Sequence, residues 1–322
     1  MAEPNRRRPT IDDVARRAGV SAAAVSFAMN GRRGVGEVTR RRILDAADEL
    51  GWSPSAPARA LSESRTRAIG LLLARPVEAL EVDPFFVRFL AGVERALARS
   101  DHALMLRVID GEGPVDVDAY AQMGTRVDGL LLCDVELDDP RFGPLAERGI
   151  PVVVAGRPAS ACPFPWIETR HARGAAAAAE HLIALGHRRI GFLGGHERFE
   201  HVHARLAAWR RALDAADLEP GPITFGDPAA ALRGDPTGIV CTSDVLAVAA
   251  LRLARISVTG FDDSPLAAFS SPPLTSVRVD YAEFGEAAAD ALVAVIGGAP
   301  PPRFDGAAPH LLVRGSTGPP RG

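Results

Sequence analysis

Between Thr10 and Asn30 the apolar positions recur at helical spacing. Ile11, Val14, Ala15 and Ala18 fall on one face of a first helix; after a break at Gly19, Val20 and Ser21, Val25, Ala28 and Met29 fall on the inner face of a second. Thr10 followed three residues later by Asp13 reads as a capping box, and Ser21 as the N-cap of the second helix. A third helix is predicted over Glu37–Leu50, with Ile43, Leu44, Ala47 and Leu50 turned inward. Two short helices joined by a brief glycine-containing turn form the helix-turn-helix arrangement that reads DNA. A plain three-helix bundle without a ligand is the bland alternative.

From residue 68 the pattern changes. Near-continuous apolar runs at 68–73, 103–108, 129–133, 151–155, 189–194, 238–242 and 256–261 read as strands. Helical patterns fill the intervals at 85–100, 140–148, 174–185, 204–216 and 245–254. Strands without polar alternation, separated by helices, predict parallel sheets covered on both faces. Between the two regions, residues 53–67 mix Pro, Ser, Ala and Arg: either a short helix starting near Pro57 or a flexible tether. The expected organisation is therefore a helical DNA-binding domain at 1–52, a hinge at 53–67 and a two-lobed α/β domain at 68–322, the lobes meeting near residue 156.

Charge sharpens this division. Net charge is −3 over 322 residues, yet residues 1–67 carry 13 Arg against 8 Asp and Glu, and every basic residue of the chain is Arg. A local cationic patch on an acidic body is what phosphate binding at one end would leave. No apolar run approaches membrane-spanning length, and the basic N-terminus lacks the apolar core of a signal peptide, so a cytoplasmic location is expected. Cys133, Cys162 and Cys241 are widely spaced and odd in number, giving neither a zinc nor a disulfide pattern.

The run TIDDVARRAGVSAAAVS, then Asn30-Gly31, then VTRRRILDAADELGWSPSAPARAL, resembles the lactose-repressor (LacI) family, and the likeness extends over nearly the whole chain. The resemblance implies an all-α helix-turn-helix head followed by a periplasmic-binding-protein-like pair of α/β lobes. It places Ser21, Ala22, Ala23, Ser26, Phe27 and Asn30 at groove- or backbone-facing positions, and Thr10 and Thr39 at phosphate contacts. It also makes Ala58 and Leu61 part of a hinge helix, with Leu61 as the wedge between base steps of the minor groove. Ala24 and Phe27 stand where the family has Thr and Arg; alanine and Phe can touch a thymine methyl but cannot make bidentate base contacts, so readout should lean on apolar contact and DNA shape. For the larger domain, the resemblance assigns effector contacts to Phe85, Arg205, Ser243 and Asp262. Ring, guanidinium and carboxylate together suit a polyol, whereas Arg205 and Asp262 could instead form a structural ion pair. Arg170 and His171 replace the family's Asp-Asn, implying an unusual effector or a pocket that no longer closes normally.

His196, His201 and His203 near Glu197 and Glu200 could hold zinc, but a polar loop at a pocket mouth, leading into a helix, is the favoured reading, and no metal or cofactor is expected. His187 is expected to cap a helix end, and Gly194-Gly195 to be able to receive an anion. No nucleophile elbow, phosphate loop or catalytic triad is recognisable, so the chain reads as a regulator and not an enzyme. The expected partners are a palindromic double-stranded DNA operator, a small-molecule effector of carbohydrate type, and a second copy of the chain. No leucine heptads follow LLVRGST, which favours a dimer over a tetramer. A regulator answering to a protein partner or to no ligand is the alternative; a transport-type binding protein fits less well with an attached DNA head.

Overall fold

Thr10 donates from both its backbone amide and its hydroxyl to Asp13, at 2.9 and 2.7 Å, and so closes the first turn of α1 (Ile11–Ala18) in the computed structural model. The structure describes residues 9–54, 65–76, 83–109 and 115–320, in two compact units, Met1–Arg67 and Ala68–Gly322. In the first, Gly19 adopts φ +65°, the left-handed conformation glycine takes without strain, and the amide of Val20 returns to the Ala15 carbonyl at 3.0 Å. That turn sets α2 (Ala22–Met29) against α1, and α3 (Glu37–Leu50) closes the bundle over Val14, Val25 and Ile43, all fully buried. Leu44 corrects the expected inner face of α3. It is 41% exposed, because Ile43, Ala46, Ala47 and Leu50 already occupy the i, i+3, i+4, i+7 stripe and Leu44 lies about 100° off it.

The second unit holds two sheets. One contains β1 (Ala68–Ala74), β2 (Ala103–Ile109), β3 (Gly129–Leu132), β4 (Val152–Ala155) and β5 (Trp166–Ile167) in the order β2-β1-β3-β4-β5, all parallel. The other contains β6 (Ile190–Gly194), β7 (Ile223–Phe225), β8 (Gly238–Cys241), β9 (Ser257–Phe261), β10 (Thr275–Arg278) and β11 (His310–Leu312) in the order β11-β10-β9-β8-β6-β7. Only β11 runs antiparallel to its neighbour. Because β5 pairs with β4, the first lobe extends to Ile167, eleven residues beyond the expected boundary at 156.

Helices cover the sheets: α4 (Pro84–Ser100), α5 (Val117–Gly124) and α6 (Phe142–Glu147) in the first lobe, then α7 (His171–Ala184), α8 (Glu200–Asp214), α9 (Asp244–Leu253) and α10 (Pro265–Phe269) in the second. After β10 the chain returns to the first lobe as α11 (Tyr281–Ile296), which packs on α4, β3 and β4. It then crosses once more to place β11 in the second sheet, so the lobes are joined by three passages of chain. This arrangement leaves the carboxyl ends of several strands in both sheets facing a common cavity, where α/β sheets bind ligands.

Candidate functional site

In the smaller unit, α2 presents Ala23 and Phe27 outward, one helical turn apart and both exposed. The Phe27 ring lies beside Gly34, where an added Cβ would come 3.5 Å from it. Polar side chains on this helix are largely engaged within it. Ser21 accepts from the Ala24 amide at 3.2 Å, and the Asn30 amide group donates to the Ser26 carbonyl at 2.7 Å and to its hydroxyl at 3.3 Å. Ala22 packs partly into the core, and Thr39 is half-exposed in the first turn of α3. Arg40, one of the basic flank, donates to the carbonyls of Ala28 and Arg32, tying off the end of α2. Arg41 and Arg42 remain exposed, while Arg17 pairs with Glu49 at 2.5 Å.

The larger unit encloses a cavity of about 430 Å³ between its lobes, within the size range of small-molecule sites. Phe85, Arg205, Ser243 and Asp262 all line it. Asp83 begins α4 by accepting from the Phe85 amide at 2.9 Å, which aims the Phe85 ring at Tyr281, edge-on with centroids 5.0 Å apart. Arg75, just past β1, makes a two-pronged pair with Asp134 at 2.8 and 2.7 Å, its guanidinium 4.4 Å from the Phe199 ring centre. The Asp134 loop is fixed from behind by Arg141, fully buried, which bonds Asp139, the Tyr120 hydroxyl and the carbonyls of Cys133 and Asp134.

From the second lobe, Arg205 on α8 donates to the Thr242 carbonyl at 2.7 Å and stacks 3.7 Å over the Phe261 ring, leaving its buried Nε without a partner. Asp262 follows β9 at φ +100°; its carboxylate accepts from the Tyr281 hydroxyl at 2.6 Å, and its carbonyl from Arg88 at 2.9 Å. Arg205 and Asp262 therefore face the cavity through separate partners and form no salt bridge with each other. Ser243 caps α9, accepting from the Leu246 amide at 3.3 Å.

Histidines complete the wall. His171 opens α7 after Arg170, which sits at φ +53° and pairs with Asp305. Its ring meets His201 edge-on, and His201 in turn stacks on Phe199, with centroids 5.6 Å apart. Burial, helped by the Arg205 charge, lowers the His171 pKa to about 3 and pushes that of His201 well down, so both rings are neutral. The His171 Nδ1 is buried without a partner. Burial also raises Asp83 to about 6, reinforced by the negative charge of Asp262. Asp262 likewise rises to about 6, mainly through burial, although Arg205 and the Tyr281 hydrogen bond oppose it. Neutral imidazoles that both donate and accept, an arginine with a spare donor, carboxylates and flat rings are the groups that grip a hydroxylated ring compound.

Two sequence-level readings change. His187 does not cap the preceding helix; its ring bridges Thr237 and the Gly318 carbonyl, both at 2.9 Å, and so ties down the C-terminal tail. The Gly195 amide is taken by the Thr242 hydroxyl at 2.9 Å and is not open to an anion. His203 bonds the Glu197 carbonyl, and among the described residues no His, Cys, Asp and Glu cluster is arranged to hold a metal.

Residues 10–55 match the model for bacterial regulatory proteins of the lacI family, and residues 179–317 match the periplasmic binding protein-like domain. The chain is 34% identical to the HTH-type transcriptional regulator reg1 of Streptomyces lividans, over 95% of each chain. The chain belongs to the LacI family. Among solved structures, a CelR–cellobiose complex is 30% identical with TM-score 0.71, covering 96% of this chain and 100% of that one. A lac repressor dimer bound to operator and an anti-inducer has TM-score 0.79 at 23% identity, covering 97% and 100%, a likeness of fold. The protein is thus a LacI-family transcriptional regulator, a DNA-binding protein and not an enzyme, with a ligand-binding domain of periplasmic-binding type. No helix among the described residues is long and apolar enough to cross a membrane.

Within this LacI-family frame, Ala58 and Leu61 lie outside the described residues. Reading the sequence for cavity residues left out Arg75, Phe199, His201 and Tyr281, which also line it, and noted His171 only as a departure. Arg75 was findable, since it directly follows a strand whose carboxyl end must face the cleft. Tyr281 and Phe199 carried no such signal, because each reaches the cavity from the start of a helix far away in sequence.

Proposed function

We propose that the protein is a cytoplasmic, homodimeric repressor that binds a near-palindromic operator and whose operator affinity is set by a small carbohydrate or related polyol in the interlobe cavity. The observation that carries the effector assignment is the pairing, in one cavity, of Arg205 and Asp262 with the Phe85 ring and two neutral histidines. A neutral hydroxylated ring satisfies such groups without bringing a charge into a buried site, and its apolar face stacks on the aromatic wall. The cavity volume accommodates a disaccharide, and the CelR neighbour is described with cellobiose. In this reading Ser243 contributes its hydroxyl, the residues of α2 face the major groove, Thr10 and Thr39 face phosphates, and Ala58 with Leu61 enters the minor groove. Homodimerisation follows from the two-fold logic of helix-turn-helix recognition, in which each head takes one half-site.

The test is selection of random duplex DNA by the full-length protein at near-physiological salt, run without ligand and with a panel of mono- and disaccharides. Recovery of one palindrome, with binding released or tightened by one sugar, supports the proposal. The same sugar should raise the melting temperature of the wild type and not of Arg205→Leu, since a ligand bound to the native state stabilises it. A palindrome recovered with no response to any sugar, and no thermal shift, would remove the carbohydrate from the model.

A further inference from the structure

We infer that the recognition helix reads its operator through the C5-methyl groups of pyrimidines, so that thymine and 5-methylcytosine are equivalent letters to it. The inference rests on the operator-binding reading above and deepens it. The helix α2, AAAVSFAM, carries no charged residue at all. Of the polar side chains beside it, Ser21 accepts from the Ala24 amide, and the Asn30 amide group donates to the Ser26 carbonyl and hydroxyl. What remains outward is the methyl group of Ala23, part of Ala22, and the exposed Phe27 ring.

The major groove offers acceptors on guanine and adenine, donors on adenine and cytosine, and a single apolar feature, the C5 methyl of thymine. That surface of methyl groups and a ring has nothing to offer the polar edges, which leaves the hydroxyl protons of Ser21 and Ser26 as the donors beside it. It can gain free energy only where a methyl replaces water against it, and the exocyclic group at C4 of the same pyrimidine is not interrogated. The Phe27 ring lies against the loop after the helix, beside Gly34, which takes φ +119° there. A reader of this kind responds to cytosine C5 methylation: a site containing cytosine at a contacted position gains affinity when that cytosine is methylated.

The experiment uses the full-length protein and the palindrome recovered by selection. Each major-groove thymine of one half-site is replaced in turn by deoxyuridine, symmetrically in the other half. At contacted positions each lost methyl should weaken binding about fourfold, the worth of one buried methylene-sized group. At those positions the pair is then exchanged for cytosine–inosine and 5-methylcytosine–inosine, which keep the minor groove free of the guanine amino group. The methylated pair should bind as the thymine duplex does, the unmethylated one as the uracil duplex. Phe27→Ala, at an exposed site, should abolish the thymine-over-uracil preference at one position and leave that preference intact at the others. Uracil as good as thymine throughout, 5-methylcytosine behaving as cytosine, or an unchanged preference in Phe27→Ala would each overturn the inference. Recovery of no sequence under any condition would instead remove the operator reading on which it stands.

Discussion

Asp262 sits at φ +100°, in the left-handed region that side chains rarely adopt, and its carboxylate is buried with a pKa raised from 3.8 to about 6. Backbone strain and a costly charge at one residue are what a binding site accepts in exchange for a fixed acceptor. The raised pKa means the folded state holds the proton more tightly than the unfolded chain does. Ionised Asp262 therefore destabilises the fold above about pH 6, and the cost is relieved as the pH falls from about 6 toward the ordinary value near 4. The buried histidines work in the opposite direction. His171, lowered to about 3 by burial and by Arg205, makes the fold lose stability as the pH falls below the usual 6.5. Wild-type stability mixes both trends, so the difference between two proteins carrying the same histidines is the clean measure. Asp262→Asn keeps an acceptor for the Tyr281 hydroxyl. It should melt higher than wild type at pH 7.5 in scanning calorimetry, with the gap closing between pH 6 and 4. A gap of the same size at every pH would mean the substitution acts through packing and not through the charge.

Among the elements, the pairing of α4 with α11 is the tightest constraint in the larger unit. A Cβ on Gly92 would fall 1.9 Å from the Ala282 carbonyl oxygen, and one on Gly285 would fall 2.1 Å from that of Phe89. Two glycines in facing helices thus let the backbones touch, and this contact holds α11 on the first lobe after the chain has visited the second. Gly92→Ala should lower the urea midpoint of the larger unit. Overpacking against backbone costs about 1–3 kcal/mol, which exceeds the helix-propensity gain of up to about 1 kcal/mol. An unchanged or raised midpoint would show that the helices can separate freely. None of this contact was legible in the sequence, because the two glycines lie far apart along the chain and nothing in their neighbours pairs them. The strands β1, β3, β4, β6, β8 and β9 were legible, because each is buried on both faces and reads as an apolar run. The two-residue β5 and the three-residue β7 and β11 are too short for any period, and they exist only because a longer neighbour offers its edge. The head was legible nearly to the residue, since Thr10, Asp13, Gly19 and Ser21 act within one turn of where they stand. The cavity was legible in part. Arg205 and Asp262 stand next to recognisable motifs, whereas Tyr281 and Phe199 reach it only through tertiary folding.

At the scale of the whole molecule, the proposed dimer would tie each head to a specific operator through a second head. A single helix-turn-helix reads only a few base pairs. Joining two turns the second encounter into an intramolecular one, which can raise affinity by about 10²–10⁴ without a new contact. The proposed join would use an apolar surface on the larger unit. The second lobe exposes apolar side chains on α10 and on α9, the helix packed beside it: Phe269 is 88% exposed, Leu253 55% and Leu266 43%. A phenylalanine left so open to water stands out from the scattered apolar atoms of an ordinary surface, and a second copy of the same face would cover it in a self-complementary contact. Phe269→Asp places a charge at the centre of that contact while leaving the buried core of the lobe untouched. Sedimentation should find the wild type dimeric and the variant monomeric at micromolar concentration. On DNA, the variant should bind a full palindrome no better than a half-site, with nonspecific affinity retained. A variant that stays dimeric would place the dimer contact elsewhere on the larger unit. A monomeric variant that still prefers the full palindrome would mean that the heads associate on DNA without help from this face.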